Sequence, residues 1–484
     1  MLTLINTNTM QPPIAPIGLE YVASAVRQAG IEIEILDLGL QTSPEHLLRE
    51  YFTNHTPALV GLTFRNVDDC FWPSCQWFAP ELARWVQTIK SLTDAPVLVG
   101  GIGFSIFAER LVEYTSADFG IRGDGEEATV ALYQQLSQDQ HFSDVPGLVW
   151  RNKEAIVCNP PAWPESLTFT SQRDLLDNVT YFRKGGQIGF ETKRGCNRGC
   201  VYCADPVAKG PSVRLRDPSA VADEVEALLA QGIDVLHTCD AEFNVPGAHA
   251  LAICREFIHR QLGDRLQWYA YLSVVPFDRE LARAMKQAGC VGIDFTTDAA
   301  CPTMLKAYGQ PYGKDDIAKA VELCREQGLA VMMDMLTCGP GETPETLAET
   351  IAFMKQVGPD GIGTGIGIRV YPGTGMVPLL ETQGPWETNP SIRRKYDGPV
   401  DLFQPTFYIS HHLGPNPAKR IKDLIDGDPR FFEPMEDTDA AGGHADSKDH
   451  NYNDNAELVD AIARGERGAY WHIMLKLRGL TIDN

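Results

Sequence analysis

The stretch Cys196-Asn-Arg-Gly-Cys200-Val-Tyr-Cys203 directly follows an apolar run, residues 188–192, that predicts a β-strand. Three thiolates on one short loop can each bind one iron of a [4Fe-4S] cluster, and soft sulfur ligands suit this metal. Zinc would need a fourth Cys or His at short spacing, and no other occurs between Gly186 and Leu236. The spacing therefore favours an iron–sulfur cluster with one open iron over a zinc site or buried structural thiols.

The sequence around this loop repeats a strand followed by an amphipathic helical stretch. Helical stretches such as 218–231 and 344–355 follow predicted strands at residues 188–192, 235–238, 267–272, 292–295, 331–336 and 363–370. A complete barrel of this kind needs eight such units. Six units predict a partial (β/α)6 barrel, to which we assign residues 186–375.

The first 145 residues show the same alternation in a separate block. Predicted strands cover residues 2–6, 31–38, 58–64, 96–99 and 119–122, and predicted helices cover residues 19–28, 44–52, 78–92, 107–114 and 127–136. This order is typical of an α/β fold with a doubly wound, Rossmann-like parallel sheet. A ligand of such a sheet lies at the carboxyl ends of the strands. The candidate binding loops are therefore 6–13, 63–70, 100–104 and 123–126.

Two further segments complete the expected organisation. Residues 146–185, which contain four prolines, predict a short hairpin and a linker. Residues 376–484 predict a mostly helical capping segment with an acidic loop at 433–454 and one helix at 456–477 that is interrupted at Gly465 and Gly468. This segment could close a substrate pocket over the barrel, lined by Tyr408, His411 and Tyr452. Plain packing of the last helix explains its aromatic residues equally well.

The composition narrows the class of protein. The chain has 484 residues, enough for two to four domains, and 42 Lys and Arg against 64 Asp and Glu give a formal net charge of −22. Such a charge disfavours binding to nucleic acid or to a membrane surface. Neither a membrane span nor a secretion signal is predicted. We therefore expect a cytoplasmic protein with reduced thiols, whose nine other cysteines are buried and inert.

The cysteine loop, with an aromatic residue before its last cysteine, resembles that of the radical S-adenosylmethionine (SAM) superfamily. In that superfamily the open iron binds the amino and carboxylate groups of SAM, and an external electron donor of the flavodoxin or ferredoxin type is expected. The resemblance assigns the cluster to Cys196, Cys200 and Cys203. It assigns the SAM contacts to Tyr202, Asp240, Glu242, Ser273, Asp294, Asp298 and Gly339.

Several of these SAM contacts have structural alternatives. Residues 238–242 depart from the Gly-Gly-Glu motif of the superfamily, and Glu242 could be a rim charge that meets a nearby arginine. Asp294 and Asp298 could be helix caps, and Gly339 could serve only a strand-to-helix turn.

The N-terminal block resembles the cobalamin-binding domain of cobalamin-dependent radical SAM enzymes. The resemblance rests on the first loop and on Leu36-Asp37-Leu38, Gly100-Gly101 and Gly123-Asp124-Gly125-Glu126. Dinucleotide binding is the rival function, but no G-x-G-x-x-G follows the first strand. The resemblance assigns cobalamin contacts to Thr7, Asn8, Asp37, Leu38, Thr63, Arg65, Asn66, Gly100, Gly101, Gly103, Gly123, Gly125 and Glu126.

The first loop also bears on the cobalt. Cobalamin domains that coordinate cobalt through a histidine carry Asp-x-His-x-x-Gly after the first strand, whereas this chain has no histidine before His46. We therefore expect cobalamin without a histidine ligand. Arg65, at the end of the third predicted strand, is expected at the corrin ring, and an ion pair with Asp68 or Asp69 is the alternative.

These resemblances imply a cobalamin-dependent radical SAM enzyme. The expected activity is transfer of a methyl group from SAM through methylcobalamin to a carbon of a small-molecule substrate. Two alternatives stay open: a cyclase or rearrangement enzyme of the same family, and a non-enzymatic corrinoid-binding protein. Within the family, a tryptophan C2-methyltransferase transfers its methyl group without a radical. Arg65 and Glu242 as catalytic residues fit that mode.

Overall fold

The computed structural model describes residues 1–138, 141–153, 155–435 and 450–480. Seven strands form the first sheet: β1 (Leu2–Asn6), β2 (Ile33–Asp37), β3 (Leu59–Thr63), β4 (Val97–Gly100), β5 (Phe119–Ile121), β6 (Leu148–Asn152) and β7 (Ala155–Cys158). Their order is β2-β1-β3-β4-β5-β6-β7. The first five strands run parallel, and the hairpin β6–β7 is antiparallel. The hairpin predicted within residues 146–185 thus continues the first sheet.

Helices cover both faces of this sheet. They are α1 (Ile17–Gln28), α2 (Pro44–Asn54), α3 (Ala79–Lys90), α4 (Ile102–Ile106), α5 (Ala108–Thr115) and α6 (Glu126–Leu136). Leu2 and Leu4 of β1 share a core with α1 and α6, whereas Ile5 shares a second core with α2, α3 and α5. Because successive side chains of a strand point to opposite faces, the sheet needs helices on both sides. The doubly wound prediction is confirmed.

A short connection leads from this sheet to the second one. It contains β8 (Ser166–Leu167) and α7 (Asn178–Gly185). The Asp177 side chain caps α7 by accepting a hydrogen bond from Thr180 N at 2.9 Å, and Gly186 ends the helix at φ +80°. The chain then turns directly into the first barrel strand.

The second unit is the predicted partial barrel. This part of the chain contains β9 (Ile188–Phe190), β10 (Lys193–Arg194), β11 (Arg214–Arg216), β12 (Val235–Thr238), β13 (Gln267–Leu272), β14 (Cys290–Asp298), β15 (Ala330–Thr337) and β16 (Gly361–Ile366). Of these, β10 and β11 form a separate small sheet with β8. The helices of this unit are α8 (Asp205–Lys209), α9 (Pro218–Ala230), α10 (Gly247–His259), α11 (Arg279–Gln287), α12 (Pro302–Tyr308), α13 (Lys314–Gln327) and α14 (Pro344–Val357). Six strands pair in parallel in the order β16-β15-β14-β13-β12-β9, which confirms the (β/α)6 prediction.

The C-terminal segment mixes helices with short strands. It contains β17 (Ile368–Arg369), β18 (Ile392–Arg394), β19 (Thr406–Tyr408) and β20 (Phe431–Phe432), with α15 (Met376–Glu381), α16 (Pro417–Ile425), α17 (Ala456–Ala463) and α18 (Tyr470–Leu477). Strands β17 to β19 form a small antiparallel sheet, and β20 extends the barrel beside β16. Residues 436–449 of the predicted acidic loop lie outside the described residues.

One predicted element was wrong in this part of the chain. The strand expected at 363–370 breaks at Gly367, whose φ is +74°, so its second half leaves the barrel as β17. The interruption expected in the helix at 456–477 is present, because the chain turns between α17 and α18 at Gly465 and Gly468, with φ of +111° and +139°.

The inside of the barrel has an apolar layer and a polar layer. Val235, Tyr269 and Met332 share a core with Trp471 and Leu475 of α18, so the last helix closes one end of the barrel. The inward positions that follow two residues later along the strands carry polar side chains. These are His237, Tyr271, Asp294 and Asp334.

Buried charges join the first unit to the barrel. Arg173 Nε lies 2.7 Å from Glu20 Oε2, and its Nη1 lies 2.6 Å from Glu224 Oε1. Arg194 Nη2 lies 2.6 Å from Glu126 Oε1. All five side chains are at least nine-tenths buried, so these pairs set the position of one unit against the other.

Two expectations from composition can be compared with the structure. Six of the nine cysteines outside the loop are buried as expected, but Cys70 and Cys158 are exposed and Cys239 is half-buried. Among the described residues, we find no helix with the length and apolar character needed to cross a membrane.

Candidate active site

The cysteine loop follows β9 and is held by backbone contacts. Val201 N donates a hydrogen bond to Tyr308 O at 3.1 Å. Gly309, at φ +80°, would place a Cβ 2.8 Å from the carbonyl oxygen of Gly199, so a larger residue would displace the loop. Tyr308 and Gly309, at the end of α12, therefore hold the cysteine loop in place.

The three thiols of this loop suit a cluster better than a single metal ion. Burial raises the pKa of Cys196, Cys200 and Cys203, that of Cys200 to about 11. In the part of the chain that the structure describes, no three His, Cys, Asp or Glu side chains are grouped to hold one metal ion. In a [4Fe-4S] cluster each thiolate binds a different iron, so no such convergence is needed. Iron would also supply the positive charge that keeps these thiols deprotonated.

Glu242, beyond the end of β12, is close to the same loop. Its Oε1 accepts a hydrogen bond from Thr296 Oγ1 at 2.8 Å, and its Oε2 is buried without a hydrogen-bond partner among the described residues. Burial raises the pKa of Glu242 to about 7, and its charge contributes to the raised pKa of Cys196 and Cys200. A free carboxylate oxygen beside these thiols can bind iron or an ammonium group.

Tyr202 and Asp298 form a second polar cluster beside the loop. The Tyr202 hydroxyl lies 2.8 Å from both Asp298 oxygens, and Gln310 Nε2 donates to the same carboxylate. Gln310 also reaches Cys200 Sγ at 3.5 Å. Burial raises the pKa of Asp298 to about 7. Two predicted SAM contacts are thus brought together, and sequence reasoning missed Gln310, which connects them to the cluster loop.

Other predicted SAM contacts have structural partners. Asp240 accepts hydrogen bonds from Thr192 N at 2.8 Å and from Thr192 Oγ1 at 2.5 Å, so it fixes the chain just after β9. The backbone N–H of Ser273 donates to the side chain of Asn244 at 3.0 Å. A Cβ on Gly339 would collide with the Tyr308 ring, so this glycine is needed for packing.

On the N-terminal sheet, a cavity opens after β1 and β3. Its lining includes four predicted cobalamin contacts, Thr7, Asn8, Arg65 and Asn66. Three further predicted contacts, Gly100, Gly101 and Gly103, support this wall. Gly103 N donates to Arg65 O at 2.9 Å, and a Cβ on Gly101 would lie 2.6 Å from the carbonyl oxygen of Phe64. Thr63 O accepts a hydrogen bond from Thr7 Oγ1 at 2.6 Å.

The remaining predicted cobalamin contacts do not line this cavity: Asp37, Leu38, Gly123, Gly125 and Glu126. Asp37 accepts hydrogen bonds from Asn6 Nδ2 at 2.9 Å and from the Tyr181 hydroxyl at 2.7 Å. Both oxygens of Glu126 accept hydrogen bonds from Arg194. Glu126 therefore belongs to the contact between the two units, and we do not carry its cobalamin assignment further.

Arg65 is exposed and lies opposite the barrel. Burial raises the pKa of Cys239, Tyr271 and Tyr470, and the charge of Arg65 opposes the shift in each case. Asp68, the alternative ion-pair partner of Arg65, is paired with Arg369 instead, whose Nε lies 2.7 Å from Asp68 Oδ2. The guanidinium of Arg65 is thus presented to the space between the two units.

Polar groups connect Arg65 to the cysteine loop across the barrel. The charges of Arg65 and Asp294 both affect the pKa of Tyr271, and the charge of Glu242 helps to raise the pKa of Asp294. Sequence reasoning missed Tyr271 and Asp334 in this row. Asp334 could have been recognised from the sequence, because it is the one charged residue in the apolar strand β15.

Of the three pocket residues predicted in the capping segment, Tyr452 faces the inside of the barrel, whereas Tyr408 and His411 do not contribute to it. Burial raises the pKa of Tyr452, and Asp334 and Asp294 add to the shift, so this predicted pocket residue faces the polar layer of the barrel. Tyr408 is buried in β19, and His411 Nδ1 lies 2.9 Å from Ser391 Oγ. These contacts give Tyr408 and His411 structural partners.

Comparison with known proteins agrees with these two sites. Residues 190–354 match the Radical SAM superfamily, and residues 4–133 match the B12 binding domain. The tryptophan 2-C-methyltransferase of Streptomyces laurentii is 28% identical, over 97% of this chain and 95% of that protein. The hopanoid C-3 methylase of Methylococcus capsulatus is 26% identical, over 67% of this chain and 61% of that protein.

Solved structures extend the comparison to the fold. The radical SAM methyltransferase TsrM of Kitasatospora setae, with tryptophan and a SAM analogue bound, is 30% identical with a TM-score of 0.91. The match covers 99% of this chain and 98% of that one. A second structure of TsrM, with cobalamin and a [4Fe-4S] cluster, has a TM-score of 0.88 over the same shares of both chains.

Proposed function

The chain belongs to the family of cobalamin-dependent radical SAM methyltransferases, and we propose that it methylates C2 of the indole ring of tryptophan. It is a C-methyltransferase that works with a [4Fe-4S] cluster, SAM and cobalamin. The cyclase and the non-enzymatic corrinoid protein are not favoured by the comparisons. When bound, SAM supplies the methyl group, cobalamin carries it, and the cluster supplies iron and electron chemistry.

One observation carries the choice of tryptophan. Arg65 lines the cavity on the cobalamin side, Glu242 lies beside the cysteine loop, and the charges of both affect the pKa of groups inside the barrel, Tyr271 and Asp294. Arg65 and Glu242 fit a methyl transfer that needs no radical, which is the mode of the tryptophan C2-methyltransferase named above. Full-length similarity to a tryptophan-bound TsrM supports the same substrate.

Glu242 decides how SAM can bind in this proposal. Its free Oε2, beside Cys196 and Cys200, would occupy the open iron. SAM could then not chelate that iron through its amino and carboxylate groups, and reductive cleavage would be suppressed. Tyr202 and Asp298, held together beside the loop, would contact the displaced SAM. The Asp240 carboxylate keeps its structural hydrogen bonds.

Arg65 would control the lower face of cobalamin. A guanidinium cannot donate an electron pair to cobalt, so Arg65 would leave the lower position of the metal without a ligand. This side chain would thereby favour the reduced form of cobalt that accepts a methyl group. The capping residue Tyr452 would cover the substrate, and a flavodoxin or ferredoxin would be the electron donor.

Product analysis tests the proposed reaction. Reconstituted enzyme is incubated with SAM, reduced cobalamin and L-tryptophan, and the products are identified by mass spectrometry and NMR. We expect 2-methyltryptophan and S-adenosylhomocysteine in equal amounts, without 5′-deoxyadenosine. Methylation of a different carbon or substrate would refute tryptophan C2, and stoichiometric 5′-deoxyadenosine would refute the role of Glu242 at the iron.

Electron paramagnetic resonance of the cob(II)alamin form tests Arg65. Wild-type enzyme is expected to show no splitting from an axial nitrogen, and Arg65→His is expected to introduce one. Axial nitrogen splitting in the wild type would contradict the proposal. Arg65→Lys is the matched control, because it keeps the positive charge and adds no ligating imidazole.

A further inference from the structure

A buried carboxylate inside the barrel lacks a hydrogen-bond partner for one of its oxygens. Asp294, in the middle of β14, is only 4% exposed, and its Oδ1 makes no hydrogen bond among the described residues. Burial raises its pKa most, and the charges of Asp334 and Glu242 and a side-chain hydrogen bond with Asp334 raise it further, so Asp294 holds a proton when no cation is near. A carboxylate in this setting is stabilised only when a cation or a donor reaches it.

Asp334 stands beside Asp294 on the neighbouring strand. Thr296, two residues after Asp294, is the register partner of Asp334, so both carboxylates lie on the inward face of the barrel. His450 Nε2 lies 3.0 Å from Asp334 Oδ1. A Cβ on Gly363 would collide with both members of this pair, so the glycine makes room for them. Asp334 thus has a basic partner from the capping segment, whereas no basic residue is among the main influences on Asp294.

Two aromatic side chains complete this part of the barrel. The Tyr452 hydroxyl is buried without a hydrogen-bond partner among the described residues, and the charges of Asp334 and Asp294 help to raise its pKa. Tyr271 follows the inward-facing Tyr269 by two residues along β13 and is 39% exposed, so its ring faces the open inside of the barrel. Nearby His237 is kept neutral, because burial lowers its pKa to about 4. The space therefore combines an uncompensated carboxylate, a free hydroxyl and a flat aromatic surface.

We propose that Asp294, assisted by Asp334 and the Tyr452 hydroxyl, binds the ammonium group of the amino-acid substrate and selects α-amino acids over other indoles. The proposal rests on the function proposed above, since tryptophan carries both an ammonium group and a ring that Tyr271 can face. An ammonium group offers three donors, enough for both carboxylates and the hydroxyl. Its positive charge would replace the proton that Asp294 holds in the absence of a cation.

SAM also carries an α-ammonium group, so the source of the ligand must be decided. Asp298 is connected to the cysteine loop through Gln310, which reaches Cys200 Sγ at 3.5 Å, whereas Asp334, beside Asp294, pairs with His450 of the capping segment. Tyr452 comes from the capping segment. The substrate is therefore the better occupant, and this assignment replaces the SAM contact that sequence resemblance gave to Asp294.

Calorimetric binding to the holoenzyme separates these cases. L-Tryptophan, indole-3-propionate and SAM are titrated separately into wild type, Asp294→Asn and Tyr452→Phe. Because a hydrogen bond to a charged group is involved, we expect Asp294→Asn to weaken tryptophan binding about 10- to 100-fold. Tyr452→Phe should weaken it less. Indole-3-propionate, which lacks the ammonium group, should bind all three proteins alike, and SAM binding should be unchanged.

A matched control guards against loss of folding. Asp360→Asn changes a half-buried aspartate whose Oδ2 accepts a hydrogen bond from Val331 N at 2.7 Å, at the opposite end of β15. This variant should bind tryptophan like the wild type. If Asp294→Asn binds tryptophan normally, or loses SAM instead, the inference is refuted while the proposed function stands. If wild-type enzyme binds neither tryptophan nor indole-3-propionate, tryptophan itself is the wrong substrate.

Discussion

The contact between the two units and the inside of the barrel treat buried carboxylates in opposite ways. At the contact, Glu20 and Glu224 are fully buried, and each is paired with Arg173. Inside the barrel, Asp294 is buried and Glu242 half-buried, yet each keeps one buried oxygen without a hydrogen-bond partner in the described part of the chain. Burying an unpaired charge is costly, so a fold retains it where a ligand supplies the missing partner.

This difference separates stability from function. Residues at the contact should be needed for folding, because removing one partner leaves the other charge buried alone. Residues around the barrel opening should be needed for ligands, and their loss should leave the folded chain intact. Each prediction below changes a residue on one side of this division.

The largest effect is expected at the cysteine loop. Cys203→Ala removes one of three iron ligands, so cluster iron and methyl transfer should both be lost. Thermal unfolding of the metal-free protein should change by no more than about 1 kcal/mol, because the half-buried thiol serves the metal rather than the core. Iron analysis and product formation provide the measurement.

Cys158→Ala is the control for the cysteine loop, because Cys158 is an exposed residue of β7. This variant should keep its full iron content. A Cys203→Ala protein that retains four irons per chain would show that the loop does not hold the cluster.

The next effect in size is expected at the contact. Arg173→Met leaves Glu20 and Glu224 without this guanidinium, and destabilisation of about 3 to 5 kcal/mol is expected. Chemical unfolding followed by circular dichroism measures it. Arg216 also contacts Glu224 at 2.7 Å but not Glu20, so Arg216→Met should cost less. Equal destabilisation in the two variants would contradict the arrangement in which Arg173 pairs with both glutamates and Arg216 with Glu224 alone.

The two regions also differ in what the sequence revealed. The cysteine loop was predictable because its ligands lie within eight consecutive residues, and the strands were predictable because their apolar runs are contiguous. The pair Asp334 and His450 joins residues 116 positions apart, which no local pattern reports. The pairing of Glu126 with Arg194 was also hidden, because the two residues lie in different units.

The break between α17 and α18 was predictable, because Gly465 and Gly468 interrupt the helical stretch 456–477 in the sequence. Its geometry was not predictable: Gly468 takes a φ of +139° and would place a Cβ 2.8 Å from the Tyr269 hydroxyl. Tertiary packing therefore decides the geometry of this break. The SAM and cobalamin contacts inferred by resemblance remain proposals for the same reason, because contacts to a ligand depend on side-chain direction.

Glu342 provides an intermediate case between the two regions. It is buried and accepts a hydrogen bond from Cys338 N, but no basic residue is among the main influences on its pKa, which burial raises to about 7. The folded state therefore holds a proton that the unfolded chain releases near pH 4.5, so wild-type stability falls as pH rises from 5 to 8. Glu342→Gln removes this titration and keeps an acceptor. Relative to the variant, wild type should lose roughly 2 to 3 kcal/mol over that interval.

Denaturant unfolding of both proteins at pH 5 and pH 8 measures this difference. All other titrations are shared by the two proteins and cancel. A difference in stability that stays constant between the two pH values would mean that Glu342 is ionised throughout and has a partner of opposite charge.

The smallest effect is expected at the exposed edge of the contact. Arg27 Nη2 lies 2.7 Å from Asp174 Oδ1, and the side chains are 36% and 61% exposed. Asp174 follows Arg173 directly in the chain, so the two ion pairs share the same connection but differ in solvent access. Water already solvates both charges at the edge, and Arg27→Ala should therefore cost no more than about 1 kcal/mol. High salt should abolish even that difference, since exposed pairs are screened. A loss as large as that of Arg173→Met, unaffected by salt, would mean that burial is not what separates the two pairs.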